Sequence, residues 1–76
     1  MKKSTIIATC LINSGITSHS LPNVEESIEQ TFKEDFQGMD YRQWNTNLPE
    51  AEAQNIIKQF GNNYRIDIRQ FIRDLM

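Results

Sequence analysis

A six-residue pattern occurs twice in this chain and restricts the fold more than any other feature. The stretches Met39–Trp44 and Ile66–Phe71 both read apolar, Asp, apolar, Arg, Gln, aromatic, and their starts lie 27 positions apart. Each is preceded by a Leu-Pro pair, then by an Ile and a Phe four residues apart, and then by a short polar loop. A shared period in so short a chain predicts a supersecondary unit that is present twice.

The first half of the chain carries signals for three helices. Apolar residues at helical spacing predict a helix over residues 4–13. Ser20, with a proline two residues later, predicts the start of a second helix whose pattern ends at Gly38. Asp40 is placed to cap a short third helix that runs through Trp44.

The second half predicts two more helices with similar end signals. Asn47 precedes a Leu-Pro pair and is followed three residues later by Glu50, a combination typical of a helix start. Gly61 is expected to end this fourth helix, and Asp67 to cap the fifth. We therefore predict a single all-α domain that comprises residues 1–76.

Composition predicts a small intracellular protein. The only cysteine, Cys10, has no partner for an internal disulfide, so a reducing, cytoplasmic location is expected. The first twelve residues resemble a secretion signal only faintly, because Thr5 and Thr9 interrupt the apolar run. No stretch is long enough to cross a membrane.

Catalysis is not expected of this chain. His19 is the only histidine and lies in a Ser/Thr-rich connector, where a solvated side chain is the simpler interpretation. Cys10 belongs to the apolar face of the first helix, where a thiol is usually inert. The sequence contains no phosphate-binding glycine loop and no cluster of metal ligands, so we predict neither enzyme activity nor a cofactor.

The doubled unit resembles the EF-hand. Met39 and Ile66 match the apolar loop residue that pairs with its twin between the two hands of that family. Trp44 and Phe71 match the aromatic residue that follows the loop. The resemblance covers about residues 21–76, and the repetition makes it more specific than a single match.

This resemblance implies a particular architecture. The first hand would comprise residues 21–46 and the second residues 47–76, which gives a paired lobe of four helices. Residues 4–13 would form an additional N-terminal helix, and a short β pairing would join the two loops. Within the family, the chain resembles small single-lobe myosin light chains and, less closely, the C-terminal lobe of alpha-actinin and spectrin.

The loops depart from the family at the residues that hold calcium. A working loop ends in a bidentate Glu, but Gln43 and Gln70 occupy that place here. Most of the other oxygen ligands are also absent, and each loop is shorter than a working one. We therefore expect no calcium binding by either hand.

The resemblance then implies a calcium-independent module that binds a helix. The expected partner is an amphipathic basic helix, such as the IQ motif of a myosin heavy chain, held in an apolar groove. Three acidic residues of the second helix would form a rim for it: Glu25, Glu26 and Glu29. The residues predicted to supply the groove are Leu11, Ile28, Phe32, Met39, Trp44, Ile56, Ile57, Phe60, Phe71, Leu75 and Met76.

Two other functions are compatible with the sequence. Arg65, Arg69 and Arg73 recur every fourth residue and would suit the phosphates of a nucleic acid, if residues 48–76 formed a helix-turn-helix. The net charge of −2 argues against that alternative. The acidic second helix would also suit a small inhibitor from a mobile element that blocks a basic site.

Overall fold

The protein folds into five helices without a strand. The computed structural model describes all residues, 1–76. The helices are α1 (Lys3–Asn13), α2 (Leu21–Asp35), α3 (Tyr41–Trp44), α4 (Glu50–Phe60) and α5 (Ile68–Asp74). The all-α prediction is confirmed, and each helix lies close to its predicted position. None of the five is both long enough and apolar enough to cross a membrane.

Helix α1 lies at the centre of the molecule. It packs against α2, α4 and α5. A helix that is apolar on most of its faces is stable only when other elements surround it. The segment predicted to be an additional N-terminal helix is therefore the one around which the others pack. Its buried residues are Ser4, Ile6, Ile7, Ala8, Cys10 and Leu11.

Helices α2 and α3 supply most of the aromatic part of the core. Phe32 is fully buried, and its ring lies 5.3 Å from that of Phe36, 5.4 Å from that of Tyr41 and 5.1 Å from that of Trp44, between centroids. The Trp44 indole N–H donates to the Ile72 carbonyl at 3.3 Å. This hydrogen bond joins α3 to α5 and satisfies a polar group that would otherwise be buried without a partner.

Helix α4 is the least buried of the longer helices. Ala53 is its only buried residue, although Ile56 and Ile57 also pack against the core. The helix ends at Gly61, where an added Cβ would come within 2.5 Å of the Ile57 carbonyl oxygen. Ser14, just after α1, donates its hydroxyl to the Phe60 carbonyl at 3.3 Å and ties the end of α4 to the core.

Two predicted helix caps are confirmed, one is confirmed in position only, and one is wrong. Ser20 occupies the N-cap position of α2 but makes no side-chain hydrogen bond there. The Asp40 carboxylate accepts from the backbone N–H of Arg42 at 3.0 Å, and the Asp67 carboxylate caps α5 in the same way. Asn47 does not cap α4, because Pro49 occupies the capping position and makes no side-chain hydrogen bond there.

The β pairing expected between the two loops is not found. The only β-bridge in the structure is antiparallel and joins Lys2 to Asn47. The first loop instead turns on itself, because the Met39 N–H donates to the Phe36 carbonyl at 3.1 Å. The segment before α4 therefore pairs with the start of the chain and not with a loop.

Candidate functional site

A groove with an apolar floor lies between α4 and α5. It encloses a cavity of about 420 Å³. We call it the α4–α5 groove, and it is lined by Glu52, Ile56, Phe60, Asn63, Arg65, Ile66, Asp67, Gln70, Phe71, Asp74 and Leu75. Five of these residues are apolar, and they form a continuous floor from one helix to the other.

Helical spacing explains how the floor arises. Glu52, Ile56 and Phe60 are four residues apart, so they lie in a row along one face of α4. Phe71 and Leu75 have the same spacing and line the groove from the other side. The Phe60 and Phe71 rings meet across it, with centroids 5.3 Å apart and an angle of 56° between their planes.

The floor is partly accessible to solvent. Phe71 is only 7% exposed, but Phe60 is 37% exposed. Aromatic rings contribute large apolar surfaces, and an aromatic residue at the mouth of a cavity is a frequent anchor for a bound partner. The groove therefore offers an apolar contact surface without any rearrangement of the core.

Acidic residues dominate the rim of the groove. Glu52, Asp67 and Asp74 contribute carboxylates, and Arg65 contributes the only guanidinium. The Asp67 carboxylate is occupied as a helix cap, and Asp74 accepts from the Gln70 side chain at 2.9 Å. Glu52 and Arg65 make no ion pair within the chain. The rim thus attracts cations, with one positive group among the carboxylates.

The structure divides the predicted groove residues into four sets, and the two methionines form the last of them. Ile56, Phe60, Phe71 and Leu75 come together in the α4–α5 groove. Ile57 is partly buried and packs against the core. Leu11, Ile28, Phe32 and Trp44 are core residues, at most 6% exposed.

The two predicted methionines lie elsewhere on the surface. Met39 is 50% exposed and Met76 is 52% exposed. Together with the edge of Trp44, they line a second cavity of about 500 Å³ that also includes Lys3 and Asp40. They do not line the α4–α5 groove.

The predicted acidic rim is also separate from the groove. Glu25, Glu26 and Glu29 line a third cavity, of about 510 Å³, together with Lys2 and Arg42. Glu25 accepts from the Thr5 hydroxyl at 2.8 Å, and Glu29 pairs with Lys33 at 3.0 Å. Two of the three carboxylates therefore interact with groups of the protein, and none of the three borders the apolar floor.

Several groove residues were missed at the sequence level. Glu52, Asp74 and Arg65 form the charged rim, and Ile66 belongs to the floor. A signal for Glu52 was present, because it lies four residues before Ile56 on the same helical face. The missing information was which face of α4 remains uncovered, and that depends on tertiary packing.

The arginines of the last helix are largely engaged within the chain. Arg69 pairs with Asp35 at the end of α2, and the hydrogen bond to that carboxylate raises the pKa of Arg69. The Arg73 guanidinium lies 5.6 Å from the centroid of the Phe36 ring, a cation–π contact. Arg65 is thus the only member of the predicted phosphate-binding row that makes no such contact.

Neither candidate nucleophile or base occupies a chemically activated setting. Burial raises the pKa of the Cys10 thiol to about 11, which keeps it protonated at neutral pH. His19 is exposed and borders a cavity next to Asn23 and Glu26. No group of three His, Cys, Asp or Glu side chains is close enough together to hold a metal ion.

Comparison with protein-family models, with curated proteins and with solved structures finds no match to this chain.

Proposed function

We propose that this protein is a calcium-independent module that binds a basic amphipathic helix in the α4–α5 groove. One observation carries the proposal: a partly open apolar floor lies beneath a rim with three carboxylates and one guanidinium. An apolar surface of this kind gains free energy when a partner covers it. The excess of carboxylates favours a partner with lysine or arginine beside its apolar face.

The dimensions of the groove suit a helix. Phe60 lies eight positions after Glu52, which corresponds to about 12 Å along α4, or roughly two turns. A partner helix of about three turns would place apolar anchors at positions i, i+4 and i+7 along this floor. A peptide in an extended conformation would present alternate residues and match the row less well.

The EF-hand resemblance supports the same type of partner and names one candidate. Family members without calcium ligands bind IQ-type helices, and the IQ motif of a myosin heavy chain is basic and amphipathic. Under this proposal Gln43 and Gln70 replace the calcium-holding Glu of each loop, so that binding does not depend on calcium.

A titration monitored by NMR tests the proposal directly. The isotope-labelled protein is titrated with a synthetic IQ-type peptide, once with calcium and once with a chelator. We expect chemical-shift changes at Ile56, Phe60 and Phe71, with the same dissociation constant in both buffers. A peptide that leaves these three residues unshifted at millimolar concentration would contradict the proposal.

Two charge reversals on one helix provide a matched pair of variants. Glu50 and Glu52 both lie in the first turn of α4, but only Glu52 lines the groove. Glu52→Lys is expected to weaken peptide binding by about 3- to 10-fold, since the reversal replaces an attraction of about 0.2–1 kcal/mol with a repulsion of similar size. Glu50→Lys should leave the affinity within about twofold of wild type while disturbing the helix dipole equally. Equal effects of the two reversals would place the binding surface elsewhere.

A further inference from the structure

The charges of the α4–α5 groove are separated along its length. The loop between the helices forms one end, where Arg65 lies. Glu52 lies eight residues before the end of α4, and Asp74 is the last residue of α5, so both are remote from that loop. The end remote from the loop therefore carries two carboxylates, and the loop end carries the only guanidinium.

The carboxylate at the loop end, that of Asp67, does not form an ion pair with this guanidinium. Asp67 accepts from the backbone N–H groups of Arg69 and Gln70, at 3.0 and 3.4 Å. A carboxylate that caps a helix is held in place by those N–H groups and by the positive end of the helix dipole. Arg65 makes no ion pair within the chain, so its guanidinium is available to a partner.

From this arrangement we infer that the groove selects an amphipathic helix with oppositely charged ends. Lysine or arginine at one end of the partner pairs with Glu52 and Asp74, and a carboxylate at its other end pairs with Arg65. The inference rests on the proposed helix binding and adds the order of charges along the partner. A uniformly basic helix satisfies the carboxylates but places a cation against Arg65.

Two synthetic peptides of about 18 residues separate these possibilities. Both carry leucine at the same positions, at i, i+4 and i+7 spacing. The uniform peptide has lysine at every polar contact position, and the bipolar peptide has glutamate in its N-terminal half and lysine in its C-terminal half. The measured quantity is the ratio of their dissociation constants, determined by calorimetry at low ionic strength.

We expect wild-type protein to bind the bipolar peptide about 3- to 5-fold more tightly than the uniform one. Arg65→Glu should reverse this preference by a similar factor. Because each protein variant meets the same two peptides, differences in peptide helicity cancel when the ratios are compared. Arg42→Glu is the control, since Arg42 is exposed on α3 and does not line the groove.

The outcomes distinguish the inference from the function on which it rests. A wild-type preference that reverses in Arg65→Glu and persists in Arg42→Glu supports the inference. Binding of both peptides with a ratio that Arg65→Glu does not change would overturn it and leave helix binding intact. If neither peptide binds wild-type protein, the proposed function itself fails. Addition of salt should reduce the ratio, since exposed charge pairs are screened.

Discussion

The two copies of the repeated unit differ sharply in burial despite their similar sequences. In the first copy, Ile28 and Phe32 are 0% exposed. In the second, Ile56 is only partly buried and Phe60 is 37% exposed. Both helices contact α1, but the contact with α2 is much the more extensive. Helix α1, which belongs to neither copy, therefore determines which copy forms the core and which keeps an open apolar face.

The largest expected difference between the copies concerns their equivalent phenylalanines. Phe32→Ala should lower the free energy of unfolding by about 3–5 kcal/mol, because it removes a fully buried ring and leaves a cavity. Phe60→Ala should cost about 1 kcal/mol, because that ring is already partly in water. Urea unfolding followed by circular dichroism measures both. Equal losses would mean that the groove is closed in solution.

The burial of Cys10 in α1 should make the free energy of unfolding decrease at alkaline pH. Burial raises the pKa of Cys10 from 9.0 to about 11, so the unfolded chain loses the thiol proton first. The stabilisation is complete below pH 9 and is lost as the pH rises to about 11, by about 2–3 kcal/mol in all. Chemical unfolding between pH 8 and pH 11 should show this decline.

The control for this experiment is Cys10→Ala, which removes the titrating group. The variant should keep only the decline due to Tyr41, whose pKa is raised mainly by burial. If wild-type protein and Cys10→Ala show parallel declines, the thiol ionises as readily in the folded state as in the unfolded chain. That result would contradict the sealed position of α1.

The two capping aspartates allow a smaller comparison between the copies. Asp67→Ala should cost about 1–2 kcal/mol, and Asp40→Ala about 0.5–1 kcal/mol. The difference is expected because Asp67 accepts from two backbone N–H groups and Asp40 from one. Thermal unfolding of the two variants shows which substitution destabilises the protein more. A larger loss for Asp40→Ala would show that α3 contributes more to the core than α5.

The smallest expected effect concerns the ion pair that joins the two copies. Arg69→Gln removes the exposed pair with Asp35, so its destabilisation should be slight and should disappear at high salt. Arg65→Gln is the control, because Arg65 makes no ion pair. The free energies of unfolding of the two variants are compared at low and at high ionic strength. A salt-independent loss in Arg69→Gln would mean that packing of the arginine stem, and not its charge, joins α2 to α5.

Local signals in the sequence were sufficient to place the helices. Proline and aspartate at helix starts and glycine at helix ends act within a few residues, so the pattern around Asp40 and Asp67 predicted their hydrogen bonds. The charge pair between Glu29 and Lys33 was predictable for the same reason, since four residues form one helical turn.

The groove was only partly predictable, because burial depends on contacts between distant segments. Ile28 and Ile56 have the same local spacing, and nothing within either helix indicates that α1 covers one more than the other. The partner of Glu25 is Thr5, twenty positions earlier, so its position away from the groove could not be derived from the charge pattern alone. Periodicity identifies an apolar face but not the element that covers it.

The central position of α1 has a consequence for how the chain folds during synthesis. Helix α1 ends at Asn13, and α4, one of the helices that cover it, begins 37 residues later at Glu50. At about 5–20 residues per second, the ribosome needs about 2–7 s to produce that interval. During this interval α1, the most apolar helix of the protein, is not yet covered by α4. The nascent chain therefore presents a segment suited to chaperone binding before it can present its groove to a partner.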